Sequence, residues 1–311
     1  MYLATFSVRN RLFLGCRIGG DLLRFDKAYE YCFREAPPVW MNDMRSFLTQ
    51  GETAMERVRK LRDTIKRGLS IPGRRERLVN QEIVQRMDDV HVMAPILNPE
   101  KIICIGLNYR DHCMEQNIPT PKNPVLFSKF PTAIIGPDDE IVRPKSTVQL
   151  DYEGELAFVI GRRGKHIPLE DAMDHVAGYT IMNDISARDI QFSDGQWLRG
   201  KTYDTFAPLG PFLVTKDEVE NPNRLRIEVT LNGELMQNSN TENMIFDIPY
   251  LVNFISTVVH FSPGDVVSTG TPAGVGVFRQ PPVFLKERDE VTVEIETLGV
   301  LRNRVVDEKP M

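Results

Sequence analysis

The stretch "LDYEGELAFVIG", residues Leu150 to Gly161, sets Asp151, Glu153 and Glu155 on alternate positions of a segment that then turns apolar through Leu156, Ala157, Phe158, Val159 and Ile160. Side chains two apart on a strand point the same way, with α-carbons roughly 6.6 Å apart, so Glu153 and Glu155 can converge on one point above a sheet. A third acid, Asp184, closes the apolar run "GYTIMND". Two carboxylates about 4 Å apart repel by about 4 kcal/mol at an effective dielectric of about 20. Three of them at apolar strand ends call for a cation or for protonation. Oxygen-only ligands with no neighbouring Cys or paired His favour Mg²⁺, Mn²⁺ or Ca²⁺ over zinc. The competing reading pairs these acids with lysines and arginines at a strand edge. Asp151, at the outer end of the strand, reads as a solvated turn residue outside the metal set.

Three further groups have chemistry-bearing residues. In "IGLNYRDHCMEQ", His112 and Glu115 stand three apart and meet if the segment is helical. A carboxylate beside an imidazole holds its tautomer and raises its basicity, as a general base requires; an isolated pair of this kind also serves as a surface salt bridge. In "VVSTGTPAGVG", Val266 to Gly276, a strand runs into a loop whose glycines and threonines, Gly270 and Thr271 among them, let backbone amides approach an anion. The order of a nucleotide phosphate loop is absent, and a tight turn is the plain alternative. In "LRGKTYDTFAPLGP", Lys201 sits among prolines and apolar residues, although a lone lysine is usually exposed.

The elements that must position these groups read as a mixed, predominantly β, α+β fold. Clear strand runs are "IICIG", "NPVLFSK", "ELAFVIG", "GYTIMND", "PFLVT", "VVSTG" and "VTVEIE", and "RIEVTLNGELMQNS" is a hairpin around Asn232-Gly233. Helices are expected at Leu169 to Val176 and from about Pro249 to Val259, the second capped by Asp247. Few helices, irregularly placed among the strands, argue against a doubly wound sheet. Residues 1–90 read as a small unit of two or three short strands followed by helical spacing in "MRSFLTQ" and "AMERVRKLRDTIKR"; residues 91–311 form the larger unit. The basic run "RGLSIPGRRER" is broken by Pro72 and Gly73 and reads as a solvated loop.

A net charge of -5 argues against nucleic acid as a partner. Four cysteines without metal spacing read as reduced thiols in a cytosol-like compartment, and a cytoplasmic location is expected. The N-terminal segment, interrupted by Arg9 and Arg11, reads neither as a signal peptide nor as a membrane span.

Taken together, "GLNYRDHCMEQ", "PVLFSKFPTAIIGP", "LDYEGELAFVIG", "NDISARDIQ", "GKTYDTFAPLGP", "NGELMQ" and "STGTPAGVG" resemble the signature blocks of the fumarylacetoacetate hydrolase family, in its order and over about residues 95 to 305. The first 90 residues resemble the small N-terminal domain of longer members only loosely. The resemblance implies a mixed β-roll catalytic domain, a homodimer, and Mg²⁺ or Mn²⁺ held by Glu153, Glu155 and Asp184. It further implies His112 and Glu115 as the catalytic dyad, carried on a lid that orders with ligand. Lys201 would lie near the substrate oxygens as a catalytic and substrate-binding residue, with Arg188, Gln191, Gly270 and Thr271 of the glycine-rich loop in the substrate-binding set. Fumarylacetoacetate hydrolase itself has a further ligand Asp before its catalytic His; "CIGLNYRDH" has no acid there, and Asp111 does not match it, which speaks against fumarylacetoacetate as the substrate. The expected activity is metal-dependent carbon-carbon cleavage of a short 2-oxo acid, as acylpyruvate hydrolase or oxaloacetate decarboxylase. The alternatives are isomerase, tautomerase or hydratase work on a hydroxymuconate-type acid, and a non-catalytic scaffold that retains the fold.

Overall fold

The computed structural model describes residues 1–309, and the fold is α+β with strands dominant. Two sheets carry the molecule. The path of the larger sheet begins with Val84–Arg86, Asp21–Arg24, Arg11–Ile18 and Tyr2–Val8. It continues through Ala207–Thr215, Val176–Asn183, Gly154–Ile160, Val266–Ser268, Ile102–Gly106 and Val125–Lys129. The smaller sheet orders Glu234–Asn240, Arg226–Leu231, Glu290–Ile295, Gly299–Asp307 and Glu140–Arg143. Gly154 marks where the sheets press together: a Cβ there would stand 2.4 Å from Val229 Cγ2, so the residue between the two glutamates must be small.

The central strands are buried on both faces, which is why Gly154–Ile160 reads as a continuous apolar run after its acids. One core cluster lies between the two sheets, including Phe158, Ile181, Val229 and Val293. A second joins Val58, Leu61 and Ile65 of the helix Glu52–Leu69 to Leu14 and Cys16 of the early strands and to Val159, Met182 and Leu213 of the central ones. The first 90 residues thus share a core with the rest, and they share a sheet as well: Tyr2 pairs with Val214 and Leu3 with Leu213.

Local chemistry explains most elements. The hairpin turns at Asn232 and Gly233 with φ of 52° and 83°, the positive pair that a two-residue hairpin of the primed type needs. The helix Ile248–Val258 starts where the Asp247 side chain accepts from the Tyr250 amide, with Pro249 in its first turn. Leu169–His175 is a 3-10 helix rather than an α-helix; its buried positions, Ala172 and His175, lie three apart, the period of that tighter turn. The basic run expected to be a loop is helical on both sides of its Pro-Gly break. Glu52–Leu69 extends through Arg67, and a second helix, Arg74–Asn80, begins after Gly73 at a φ of 72°. Burial of Leu78 and the Arg75–Asp21 ion pair at 2.8 Å anchor that second helix, and neither is visible in a periodicity count.

Candidate metal and acid-base site

The acids meet because of strand pairing. Gly154 pairs with Asn183 and Glu155 with Met182, so Asp184 lies beside Glu153 and its amide donates to the Glu153 carbonyl at 2.9 Å. One oxygen from each of Glu153, Glu155 and Asp184 lies within 4.8 Å of the others, and all three residues are buried. Lys201 Nζ donates to Glu153 Oε2 at 2.6 Å and Asp184 Oδ2 at 3.0 Å. Lys129, unnoticed at the end of "NPVLFSK", places its fully buried Nζ 2.6 Å from Asp184 Oδ1 and donates to the carbonyls of Ile185, Phe206 and Lys201. Glu155 accepts from the Ser268 hydroxyl and from Gly270 N at 3.0 Å, and among the described residues it has no cationic partner.

This imbalance shows in the proton affinities. Burial opposes ionisation of Glu153, but the charges of Lys201 and Arg188 outweigh it and hold the carboxyl down at about 2. Glu155 is pushed well above the carboxylate range by burial and then by the charges of Asp184 and Glu153. Burial lowers Lys129, whereas the carboxylates of Asp184 and Glu153 overcome burial to raise Lys201. Four buried acids, with Asp151 included, face three buried cations, Lys129, Arg188 and Lys201. The strand-edge alternative is therefore met in part, since lysines do pair with these acids, but Glu155 is left over. An all-oxygen donor set with surplus negative charge fits a hard divalent cation.

Asp151 departs from its expected place in a solvated turn. It is 0 % exposed and binds Arg188 Nε at 2.8 Å, because the short pairing of Leu150–Asp151 with Ser186–Ala187 folds the strand end inward. Arg188 is also fixed by Glu153 Oε1 at 2.7 Å and by Gln191 Oε1 at 3.1 Å.

The segment Arg110–Glu115 is a short helix, and it brings the dyad together. His112 Nδ1 lies 3.1 Å from Glu115 Oε2, and Glu115 Oε1 accepts from Gly274 N at 2.8 Å. A carboxylate at Nδ1 selects the tautomer whose Nε2 is the base; Nε2 lies 2.8 Å from the Gln116 amide nitrogen. The helix is tethered to the smaller sheet's hairpin and the turn after it: Asp111 Oδ2 accepts from Ser239 at 2.6 Å, and Arg110 donates to the Met244 carbonyl at 2.8 Å. His112 is buried and lines the same small cavity, about 90 Å³, as Glu153, Glu155, Arg188, Lys201 and Thr271.

Every residue singled out from the sequence lies in or directly behind this cavity. Gln191 shares its wall, Glu115 backs His112, Asp184 backs the glutamates, and Gly270 touches Glu155. Thr271 donates to the Gly154 carbonyl at 3.0 Å and accepts from Gln237 at 2.9 Å. Sequence reasoning missed Lys129, Ser268, Gln237 and the burial of Asp151. A lysine ending an apolar strand within a recognised block was the one available signal for Lys129.

Comparison with known proteins covers the segment that carries these residues. A family described as Fumarylacetoacetate (FAA) hydrolase C-terminal matches residues 101–306. The chain is 51% identical over 265 residues to a Xenopus laevis protein named oxaloacetate tautomerase fahd2, mitochondrial, covering 85% of this chain and 78% of that one. It is 49% identical over 271 residues to the Homo sapiens protein named oxaloacetate tautomerase FAHD2A, mitochondrial, covering 86% and 81%. Among solved structures, a fumarylacetoacetate hydrolase from Exiguobacterium antarcticum superposes with a TM-score of 0.78 at 35% identity over 99% of this chain and 100% of that one. A 2-hydroxyhepta-2,4-diene-1,7-dioate isomerase from Mycobacterium marinum gives 0.72 at 32% identity over 100% of both chains.

Proposed function

The chain belongs to the fumarylacetoacetate hydrolase family, and on that premise we propose that it is a divalent-cation-dependent enzyme that interconverts the keto and enol forms of oxaloacetate. The observation that carries this reading is one small cavity shared by a carboxylate-backed imidazole and a cluster of acids and cations. The names of the two vertebrate relatives support proton transfer over the carbon-carbon cleavage expected from the resemblance, and both reactions pass through the same enolate electron flow.

Bound Mg²⁺ or Mn²⁺, held by Glu153, Glu155 and Asp184, would supply Lewis-acid stabilisation of negative charge on the C2 oxygen of a 2-oxo acid. His112 Nε2 removes a proton from C3, while Glu115 at Nδ1 stabilises the imidazolium that forms. The electron pair left on C3 forms the C2-C3 double bond and moves the carbonyl pair onto the C2 oxygen, which Lys201 faces as an ammonium. Return of a proton to that oxygen completes the enol; the reverse sequence gives the ketone. Arg188, oriented by Asp151 and Gln191, holds a substrate carboxylate. No water enters the reaction and no group leaves.

No helix among the described residues is long and apolar enough to cross a membrane. The four cysteines are free, and we place the protein in a reducing compartment; the vertebrate relatives' names specify mitochondria for those proteins.

The test follows decay of enol absorbance and release of pyruvate side by side. Wild type with Mg²⁺ is expected to accelerate enol decay far beyond pyruvate release, and EDTA or Glu155→Ala to remove the acceleration. Pyruvate appearing as fast as the enol disappears would make the protein a decarboxylase, and no acceleration of either would end the enzymatic reading for this substrate.

A further inference from the structure

Asp151 is buried, yet neither of its oxygens lacks a partner. Oδ1 accepts from Tyr152 N at 2.9 Å and Gly276 N at 2.8 Å; Oδ2 accepts from Arg188 Nε at 2.8 Å and Val277 N at 3.0 Å. These donors come from three segments distant in sequence: the acid strand, the short helix Arg188–Ser193, and the end of the glycine-rich loop. The loop end comes this close because residue 276 is glycine. A Cβ there would stand 1.9 Å from the Val283 carbonyl oxygen and 2.5 Å from Asp151 Oδ1 itself.

The consequence reaches two walls of the cavity. Arg188 uses Nε on Asp151 and Nη1 on Glu153 and Gln191, and its buried Nη2 has no partner among the described residues. A buried guanidinium nitrogen with unused donors costs free energy unless a ligand oxygen meets it. The same carboxylate pins the turn Gly276–Phe278, whose Phe278 ring centre lies 6.0 Å from that of His112. Asp151 itself neither lines the cavity nor belongs to the acid triad; it reaches the cavity through Arg188, which does line it.

We propose that Asp151 is a positioning residue: it locks the Arg188 guanidinium so that Nη2 is presented to a carboxylate of a small 2-oxo acid, and it couples that wall to the loop that packs on the general base. This rests on the function proposed above for the cavity. Its logic is that of a buried anion whose geometry is set by four N-H donors. The amide of an asparagine offers only one acceptor oxygen and would turn NH₂ toward at least one of those donors.

The experiment is a double-mutant cycle on Asp151→Asn and Arg188→Gln, read by calorimetric binding of oxalate in the presence of Mg²⁺ and by kcat and KM for oxaloacetate. Each single variant is expected to weaken oxalate by roughly ten- to a hundredfold and to raise KM more than it lowers kcat, and Asp151→Asn, which keeps the Arg188 charge, to hold Mg²⁺ affinity within a few-fold. The double variant should be no weaker than the worse single one, because Asp151 acts through Arg188. Multiplicative losses, or unchanged oxalate affinity in Asp151→Asn, would overturn the proposal. If Asp151→Asn does not fold, Val277→Pro removes one of the four donors and should weaken oxalate by roughly tenfold, and no change there would overturn it equally. A wild type that lacks oxaloacetate turnover but shows the non-multiplicative oxalate cycle would reject the reaction and keep the positioning role; turnover with a multiplicative cycle would do the reverse.

Discussion

Glu153, Glu155 and Asp184 project from the ends of two paired strands in the middle of a buried sheet, whereas His112 and Glu115 project from a helix of six residues held mainly by side-chain tethers. At the acid end, each carboxylate is fixed by groups that are themselves fixed: Lys129 by three carbonyls, Arg188 by Asp151, Glu155 by Ser268 and the Gly270 amide. At the dyad end, the Asp111–Ser239 bond, the Arg110–Met244 bond and the Glu115–Gly274 bond hold a segment too short for helix stability of its own. The difference separates two roles. On the proposed function, electrostatic preorganisation would sit in the deeply packed part of the fold and the proton-moving group on the segment whose local opening costs least.

Removing the proposed base should give the largest effect. His112→Ala is expected to lower turnover by about 10²- to 10⁴-fold while calorimetric Mg²⁺ affinity stays within a few-fold. A parallel loss of Mg²⁺ would erase the distinction between the two ends.

Lys129→Met follows, because it removes the ammonium 2.6 Å from Asp184 Oδ1, leaving that buried oxygen without a partner while Lys201 still holds Oδ2, and it strips the donor from three buried carbonyls. Urea unfolding without metal should show a loss of about 3–5 kcal/mol, the usual consequence of breaking a buried pair from one side. A loss below about 1 kcal/mol would mean that the acid end is no more deeply anchored than the surface, where ion pairs are worth that little.

The third expectation concerns pH and is the smallest. Glu155 is raised, so the stability it lends the metal-free fold is full below its ordinary 4.5 and is lost as pH rises through its folded value. Glu153 is lowered to about 2, so its contribution is present above 4.5 and is lost as pH falls from 4.5 toward about 2. A divalent cation would take the place of the proton on Glu155, so the stabilisation on adding Mg²⁺ should grow with pH above 4.5, reaching about 2.7 kcal/mol at a hundredfold excess over Kd and read as a rise in Tm. Glu155→Gln should abolish that pH-dependent gain; a gain that persists would move the cation away from Glu155.

Much of the framework was legible because its causes are local. Asn232-Gly233 needs no partner to turn, Asp247 caps the amide three residues on, and Glu153 and Glu155 share a face by strand parity. Other features were illegible for an equally physical reason. The helices Arg188–Ser193 and Trp197–Lys201 are too short to show a period, and they exist because tertiary neighbours bury Arg188, Gln191, Gly200 and Lys201. Asp151 read as solvated because the amides that satisfy it lie 125 and 126 residues away, and little marked out Lys129 because its acid, Asp184, lies 55 residues on and meets it only through the fold.

By itself, then, the order of residues determined the kinds of donor available and the spacings that pair Glu153 with Glu155 and His112 with Glu115. Only the tertiary structure decided which charges these groups face. The energy of a buried carboxylate depends on distance through a low-dielectric interior and on the hydrogen bonds that replace water, and neither quantity is a function of separation along the chain.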